Sequence, residues 1–374
     1  NFITLYHLIF VVKIKNNMRV CIIGSGLSAL TLAKALVNQN IYVDIFSSIN
    51  NYKIDHSRTI GISKSNYEYF NKNIIKIDKL IWKLKKIEIY SDNIKNKKIL
   101  QFENNDQLFS IVKNYHLYEI LKRSLTKCRY LKKLRFIHKK INFNKYNLVV
   151  NTEISNTITK KFFNKKITKA YYSSAYTTII NHKNFLNNVA VQIFTKKGPL
   201  AFLPISKNET SVVYSIHNSK NKTKENINQL INHYNFKYKI NKIEKTQSFN
   251  LKSFALRSYY HENILAFGDL LHRIHPLAGQ GFNMTIRDVK ILIDIINEKI
   301  DLGLPIDKSV NIEFEKKMRH KNYIFLNGID FIHEFFNFER KFKNNFLSRS
   351  VKLLGENPKI NKLFTNIADK GINF

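Results

Sequence analysis

The sequence predicts an α/β fold: a Rossmann-like nucleotide domain, an embedded and mostly antiparallel β-sheet, and C-terminal helices. Three observations carry this. Residues 19–46 read strand, glycine turn, helix, strand. A second strand-to-helix passage, with its own glycines, spans residues 264–300. Between them, residues 170–216 alternate β-rich runs with turns, and after residue 311 no strand signal returns.

Taken in order, residues 19–23 are a short apolar strand. Residues 24–29 form a turn, residues 30–38 have helical apolar spacing, and residues 41–46 are a second strand, completing a βαβ opening. Residues 87–90 and 99–102, split by a polar stretch, predict a hairpin. Residues 108–125 and 221–234 predict helices, and residues 148–150 a buried strand. The runs 189–194, 200–204 and 211–216 should build the embedded sheet. The expected division is discontinuous. Residues 18–75, 105–163 and 250–300 form the nucleotide domain, and 76–104 with 164–249 the substrate domain. Residues 301–374 form the helical region.

The chain of 374 residues has 44% hydrophobic and 13% aromatic residues, enough for a sizeable core. Its formal net charge of +35 is extreme. Such charge suits nucleic acid or an anionic membrane. The basic residues form no single tract, however, and no aromatic-basic RNA motif occurs, so nucleic acid is not an expected partner. Cys21 and Cys128 make neither a disulfide framework nor a metal site, which fits a reducing cytoplasm. Residues 2–12 are apolar but shorter than the roughly 20 residues of a spanning helix. They also lack the flanks of a signal peptide. Met18 directly precedes the first strand, so residues 1–17 are read as an extension outside the fold.

Two motifs carry chemistry. In Gly24-Ser25-Gly26-Leu27-Ser28-Ala29, Gly24 permits the tight turn, Gly26 admits a pyrophosphate to the backbone, and Ala29 keeps the helix against the sheet. The helix N-terminus adds its positive dipole end. The acidic residue expected at the end of the second strand is absent. Ser47 stands there, and Asp44 points to the opposite face. The second motif runs from Phe267-Gly268-Asp269 through His272, His275 and Pro276 to Gly279-Gln280-Gly281-Phe282-Asn283. An aspartate at a strand end can bind ribityl hydroxyls, and a helix N-terminus stabilises negative charge on a ring. A metal site on His272 and His275 lacks further ligands.

This second stretch resembles the FAD motif of the flavoprotein aromatic monooxygenases, the group of para-hydroxybenzoate hydroxylase. With Arg287-Asp288 following, it is similar in particular to the ubiquinone-biosynthesis hydroxylases. Residues 55–63 around Arg58, residues 112–117 around Asn114, and residues 194–204 resemble further family motifs. The resemblance implies that Gly24, Ser25, Gly26 and Ala29 cradle the FAD pyrophosphate, and that Arg58 and Asn114 contact FAD. It implies that Asp269 binds the ribityl chain, and that Gly279, Gln280, Gly281 and Asn283 hold the pyrimidine end of the ring. Pro276 would lie over the ring, and His275 would orient the phenol or be bonded to backbone. The implied reaction hydroxylates a prenylated phenol with O₂ through a flavin C4a-hydroperoxide, with NAD(P)H as reductant.

Departures leave a competing reading open. Asn151-Thr152-Glu153-Ile154 stands where the family has Gly-Ala-Asp-Gly, and Thr285 replaces a usual glycine. The altered Glu153-Ile154 turn and Ser47 together support a non-catalytic FAD-binding subunit of a quinone-biosynthesis complex. A flavin reductase of prenyl lipids is disfavoured by residues 194–204. The C-terminal segment, where Lys341, Lys343, Arg349 and Lys352 interleave with Phe342, Phe346 and Leu347, either packs as an ordinary amphipathic helix or makes peripheral membrane contact.

Overall fold

The computed structural model describes residues 18–47, 56–92, 97–135, 141–217, 226–273, 281–342 and 357–370. The 1–17 segment therefore lies outside the described residues, as does the basic and aromatic stretch 343–356. In chain order the first elements are β1 (Arg19–Ile23), α1 (Leu27–Asn38), β2 (Tyr42–Ser47), β3 (Thr59–Ser63) and α2 (Lys64–Asn73). Strands β4 (Ile81–Leu84), β5 (Lys86–Ser91), β6 (Lys97–Glu103) and β7 (Phe109–Lys113) follow. Next come α3 (Asn114–Thr126), β8 (Leu131–Arg135), β9 (Leu148–Asn151) and α4 (Thr157–Phe162). The embedded part holds β10 (Lys166–His182), β11 (Val189–Thr195), β12 (Gly198–Pro204), β13 (Glu209–His217), α5 (Ile227–Tyr234), β14 (Ile240–Ile243) and β15 (Gln247–Leu256). The chain then returns through β16 (Tyr260–His261), β17 (Ile264–Ala266) and β18 (His272–Arg273). It closes on α6 (Gly281–Asp301), α7 (Lys308–Phe342) and α8 (Pro358–Lys370).

The nucleotide sheet has the order β16-β17-β9-β1-β2-β8 and is parallel except for β16. Its central strands read as apolar runs because both faces are covered. Val20, Ile22, Val149, Val150 and Leu265 are each fully buried. Helix α1 buries Leu32, Ala33 and Leu36 against this sheet and against α3 and α6. The parallel crossover β1-α1-β2 puts the glycine turn at the carboxyl edge of the sheet, where ligands of open α/β sheets bind.

The embedded sheet has nine strands and is antiparallel except where β11 runs parallel to β5. The expected hairpin is present as β5–β6. Strand β15 belongs to this sheet through its pairing with β10, so residues 250–256 lie here rather than in the nucleotide sheet. The segment 108–125, read as one helix, divides instead. Residues of β7 sit between β3 and β4 in a three-stranded sheet, and only from Asn114 does the helix begin. Phe109 and Ile111 are buried by that pairing, which outweighs local helical spacing.

Helix α8 brings the far end of the chain onto the β3–α2 junction. The Asp369 carbonyl accepts from Ser63 Oγ at 2.8 Å, Ser65 Oγ at 3.0 Å and Arg287 Nη2 at 3.0 Å. Its carboxylate accepts from the Ser65 N–H at 2.8 Å, where a negative charge at the first turn of α2 is favourable.

Candidate active site

The glycine turn is built as its sequence requires. Gly24 has φ +130°, and its N–H donates to the Phe46 carbonyl at 2.8 Å. A Cβ there would lie 2.1 Å from Thr152 Oγ1, so the residue after β9 presses on the turn. Gly26 is the N-cap of α1, and a Cβ built on it meets nothing within 4 Å. The backbone at the helix N-terminus thus faces open space, which fits a pyrophosphate meeting free N–H groups. Ala29 is fully buried on the sheet side. Ser47 Oγ donates to Ser25 Oγ at 2.9 Å, tying the end of β2 to the turn. Asp44 takes no part. It is buried, accepts from the Tyr146 hydroxyl at 2.8 Å and faces Arg19 at 3.7 Å.

The two nucleotide motifs meet at Gly268. This residue has φ +62°, and a Cβ there would lie 2.5 Å from Ser28 Cβ on α1. Asp269 follows in the 3-10 turn Gly268–Leu270 and is exposed at the sheet edge. Beneath it, Thr285 Oγ1 is buried without a partner among the described residues. By sequence Thr285 is a departure from the family pattern and Ser28 has no assigned role. Only the tertiary approach of α6 and α1 to Gly268 gives them a place.

Arg58 and Asn114 come together as well. The Asn114 N–H donates to the Arg58 carbonyl at 3.0 Å. Asn114 Oδ1 is buried with no partner among the described residues, an orphan acceptor that a ligand donor would satisfy. The Arg58 guanidinium lies over the Phe249 ring of the embedded sheet at 5.5 Å. Asn283 is fully buried, and its amide is engaged with the protein: it bonds Ser63, Asn66 and Gly61. Gly281 opens α6. His275, Pro276, Gly279 and Gln280 lie outside the described residues.

The Asn151–Ile154 turn folds without the glycines. Among the described non-glycine residues, positive φ occurs at Asn40, Tyr172 and Glu262, not at Ile154. A polar web replaces the motif. Asn156 Nδ2 donates to Asn151 Oδ1 at 2.9 Å, Asn151 Nδ2 to Thr159 Oγ1 at 2.8 Å, and the Thr159 N–H to Asn156 Oδ1 at 2.8 Å, capping α4. Glu153 reaches the glycine turn. Burial pushes its carboxyl above the ordinary range, against the pull of the Ser25 N–H.

Behind the flavin motif, His272 Nε2 and Asp288 Oδ2 lie 2.7 Å apart, both side chains almost fully buried. Burial pulls the imidazole pKa down, but the charge and hydrogen bond of Asp288 outweigh it, and the value is raised.

Two strand-end turns at one sheet edge, a helix N-terminus facing open space and a neighbouring embedded sheet make up the site, on a fold shared with FAD-dependent monooxygenases of known structure. A family model described as FAD binding domain matches residues 167–301. In sequence the chain is similar to the ubiquinone biosynthesis monooxygenase COQ6 of Drosophila melanogaster. The two are 24% identical over 332 residues, covering 74% of this chain and 69% of the relative. It is also similar to the 3-demethoxyubiquinol 3-hydroxylase of Escherichia coli, 27% identical over 171 residues and 43% of each chain. In structure it matches p-nitrophenol 4-monooxygenase PnpA from Pseudomonas putida, with TM-score 0.76 and 12% identity, over 96% of this chain and 100% of the other.

Proposed function

We propose that this chain is an FAD-dependent monooxygenase that hydroxylates the ring of a polyprenyl phenol in ubiquinone biosynthesis. One observation carries the reading: Gly26 at the α1 N-terminus and Asp269 beyond β17 open at one edge of the sheet, joined through the Gly268–Ser28 contact. FAD held there would supply the redox chemistry that activates O₂. The chain's own residues bind and position. Backbone N–H groups of the Ser25–Ser28 turn receive the pyrophosphate charge. The exposed Asp269 carboxylate accepts from ribityl hydroxyls, and Asn114 Oδ1 accepts a further donor. The dipole at the start of α6 stabilises negative charge on the ring. The embedded sheet covers the substrate and keeps water from the reacting oxygen. In this reading His275 and Pro276 border the substrate, and the Asn151–Ile154 turn would receive the NAD(P)H that supplies reducing equivalents.

The substrate class rests on the sequence similarity to quinone-pathway enzymes. A prenylated phenol dissolves in membranes, so the reading includes peripheral association with a membrane from its cytoplasmic side and docking with other quinone-biosynthesis proteins. Among the described residues no helix is long and apolar enough to cross a membrane. The altered turn favours a second reading, a non-catalytic FAD-binding subunit. Chemically reduced protein mixed with O₂ and a prenylated phenol separates the two. Hydroxylated product is expected, and release of hydrogen peroxide alone across a range of phenols would overturn the hydroxylase reading.

A further inference from the structure

Helix α8 lies beyond residues 167–301, the span that the family model matches, and none of the flavin motifs calls for it. The sequence starts the helix cleanly. Asn357 Oδ1 accepts from the Lys359 N–H at 3.0 Å, and Pro358 takes the first helical position, where it has no bond to lose. Near that start, Asn361 Nδ2 donates at 2.8 Å to the Gln101 carbonyl of β6, the edge strand of the nine-stranded sheet. From Asn361 to Asp369 the axis rises about 12 Å at 1.5 Å per residue. At Asp369 the helix meets β3, α2 and α6. One short helix thus bridges the embedded sheet and the nucleotide domain.

The bonds at Asp369 converge on one face of α6. Asn283 and Arg287 are one helical turn apart and share that face. The Asp369 carbonyl reaches Arg287 directly, accepting from Nη2 at 3.0 Å. It reaches Asn283 through Ser63, whose Oγ donates to it at 2.8 Å while the Ser63 N–H donates to Asn283 Oδ1 at 2.9 Å. Asn66 Nδ2 closes the triangle, donating to Ser63 Oγ at 2.9 Å and to Asn283 Oδ1 at 3.0 Å. Ser63, Asn66 and Asn283 are buried, so a broken bond here leaves a polar atom in the core. The Arg287 guanidinium lies over the Phe325 ring of α7 at 5.1 Å, which limits its freedom to follow a displaced α8. We propose that Asp369 is a positioning residue. Through it α8 clamps the first two turns of α6, by way of Ser63 and Asn283 and by way of Arg287. The inference rests on the reading of the site above, which gives the start of α6 the task of stabilising negative charge on the flavin ring. With the clamp loosened, the helix end loses its alignment, FAD is held less tightly, and its reduced form loses most.

The test uses the full chain. Asn366→Pro breaks α8 between its two anchors and leaves Ser63, Asn283 and Arg287 untouched. Asn366 is exposed, so Asn366→Ala serves as the control. In FAD-free protein the proline variant should exchange backbone hydrogens faster in residues 59–63 and 281–287, with β1 and β9 unchanged. On titration with FAD its dissociation constant should rise about tenfold, the worth of roughly one hydrogen bond. The flavin midpoint potential should become more negative, a change that a merely structural role would not produce. Asp369→Ala is milder, removing only the bond to the Ser65 N–H, and should move both values in the same direction. Asp369→Asn, which keeps an acceptor, should restore them. Adding Ser63→Ala to Asn366→Pro should cost little more than Asn366→Pro alone, because both interrupt one route. Exchange and potential like the parent's in the proline variant would overturn the proposal, as would full additivity with Ser63→Ala. A parent chain that binds no FAD would overturn the reading of the site itself. That result is distinct from a parent that binds FAD and a proline variant that matches it.

Discussion

Asn283 holds Gly61: its Nδ2 donates to the Gly61 carbonyl at 3.0 Å, while its Oδ1 accepts from the next-but-one N–H, that of Ser63, at 2.9 Å. One buried amide therefore fastens β3 to the first turn of α6. Asn283→Ala would strand a buried N–H and a buried carbonyl, at a cost of about 2–4 kcal/mol. The expected result is a lower thermal midpoint together with reduced FAD content. An unchanged midpoint would show that water or backbone shifts take over both bonds.

Two glycine substitutions should separate binding from folding. Gly26→Val places its side chain in open space, so the protein should stay folded while losing FAD. Gly268→Ala meets Ser28 and forces an alanine to φ +62°, costing about 1–3 kcal/mol. Ser28→Gly should recover part of the second loss but none of the first. Thermal denaturation beside the flavin absorbance of the purified proteins decides both.

Glu153 should give FAD retention a pH dependence. Burial raises its carboxyl pKa in the folded chain, so its favourable contribution is fully present below the ordinary glutamate value of 4.5 and fades as pH climbs through the raised value. The carboxylate formed there faces the glycine turn, where a pyrophosphate would add like charge. FAD affinity should therefore fall across that window, and Glu153→Gln should flatten the profile. Identical titrations for the two proteins, followed by flavin fluorescence, would remove Glu153 from the binding site.

The His272–Asp288 pair acts at higher pH. A histidine with a raised pKa lends stability below its ordinary value of 6.5, and that stability is lost as pH rises through the raised value. Breaking the pair with Asp288→Asn should cost about 3–5 kcal/mol. It should also erase the alkaline arm of a melting-temperature profile. An arm that survives in the variant would assign it to another group.

The βαβ opening was legible because its signals are local: a glycine pattern between an apolar strand and an apolar helix. Strand β9, the β5–β6 hairpin and α6 were legible for the same reason. Strands β3, β4 and β7 were not. Ile60, Trp82 and Ile111 become strand residues through pairing among distant segments, and residues 108–113 continue seamlessly into a real helix. The site divides along the same line. Gly24 and Gly26 announce themselves in sequence. The Ser47–Ser25 bond, the Gly268–Ser28 contact and the Asn283 clamp join residues that only the finished fold brings together.

The placement of Asp369 sets an order of events during biosynthesis. Ser63 waits for a partner 306 positions later in the chain. At roughly 5–20 residues per second, a ribosome needs about 15–60 s to supply it. Through that interval the junction of β3, α2 and α6 lacks its last bonds. The packing behind the first turn of α2 is therefore among the last parts of the described fold to close.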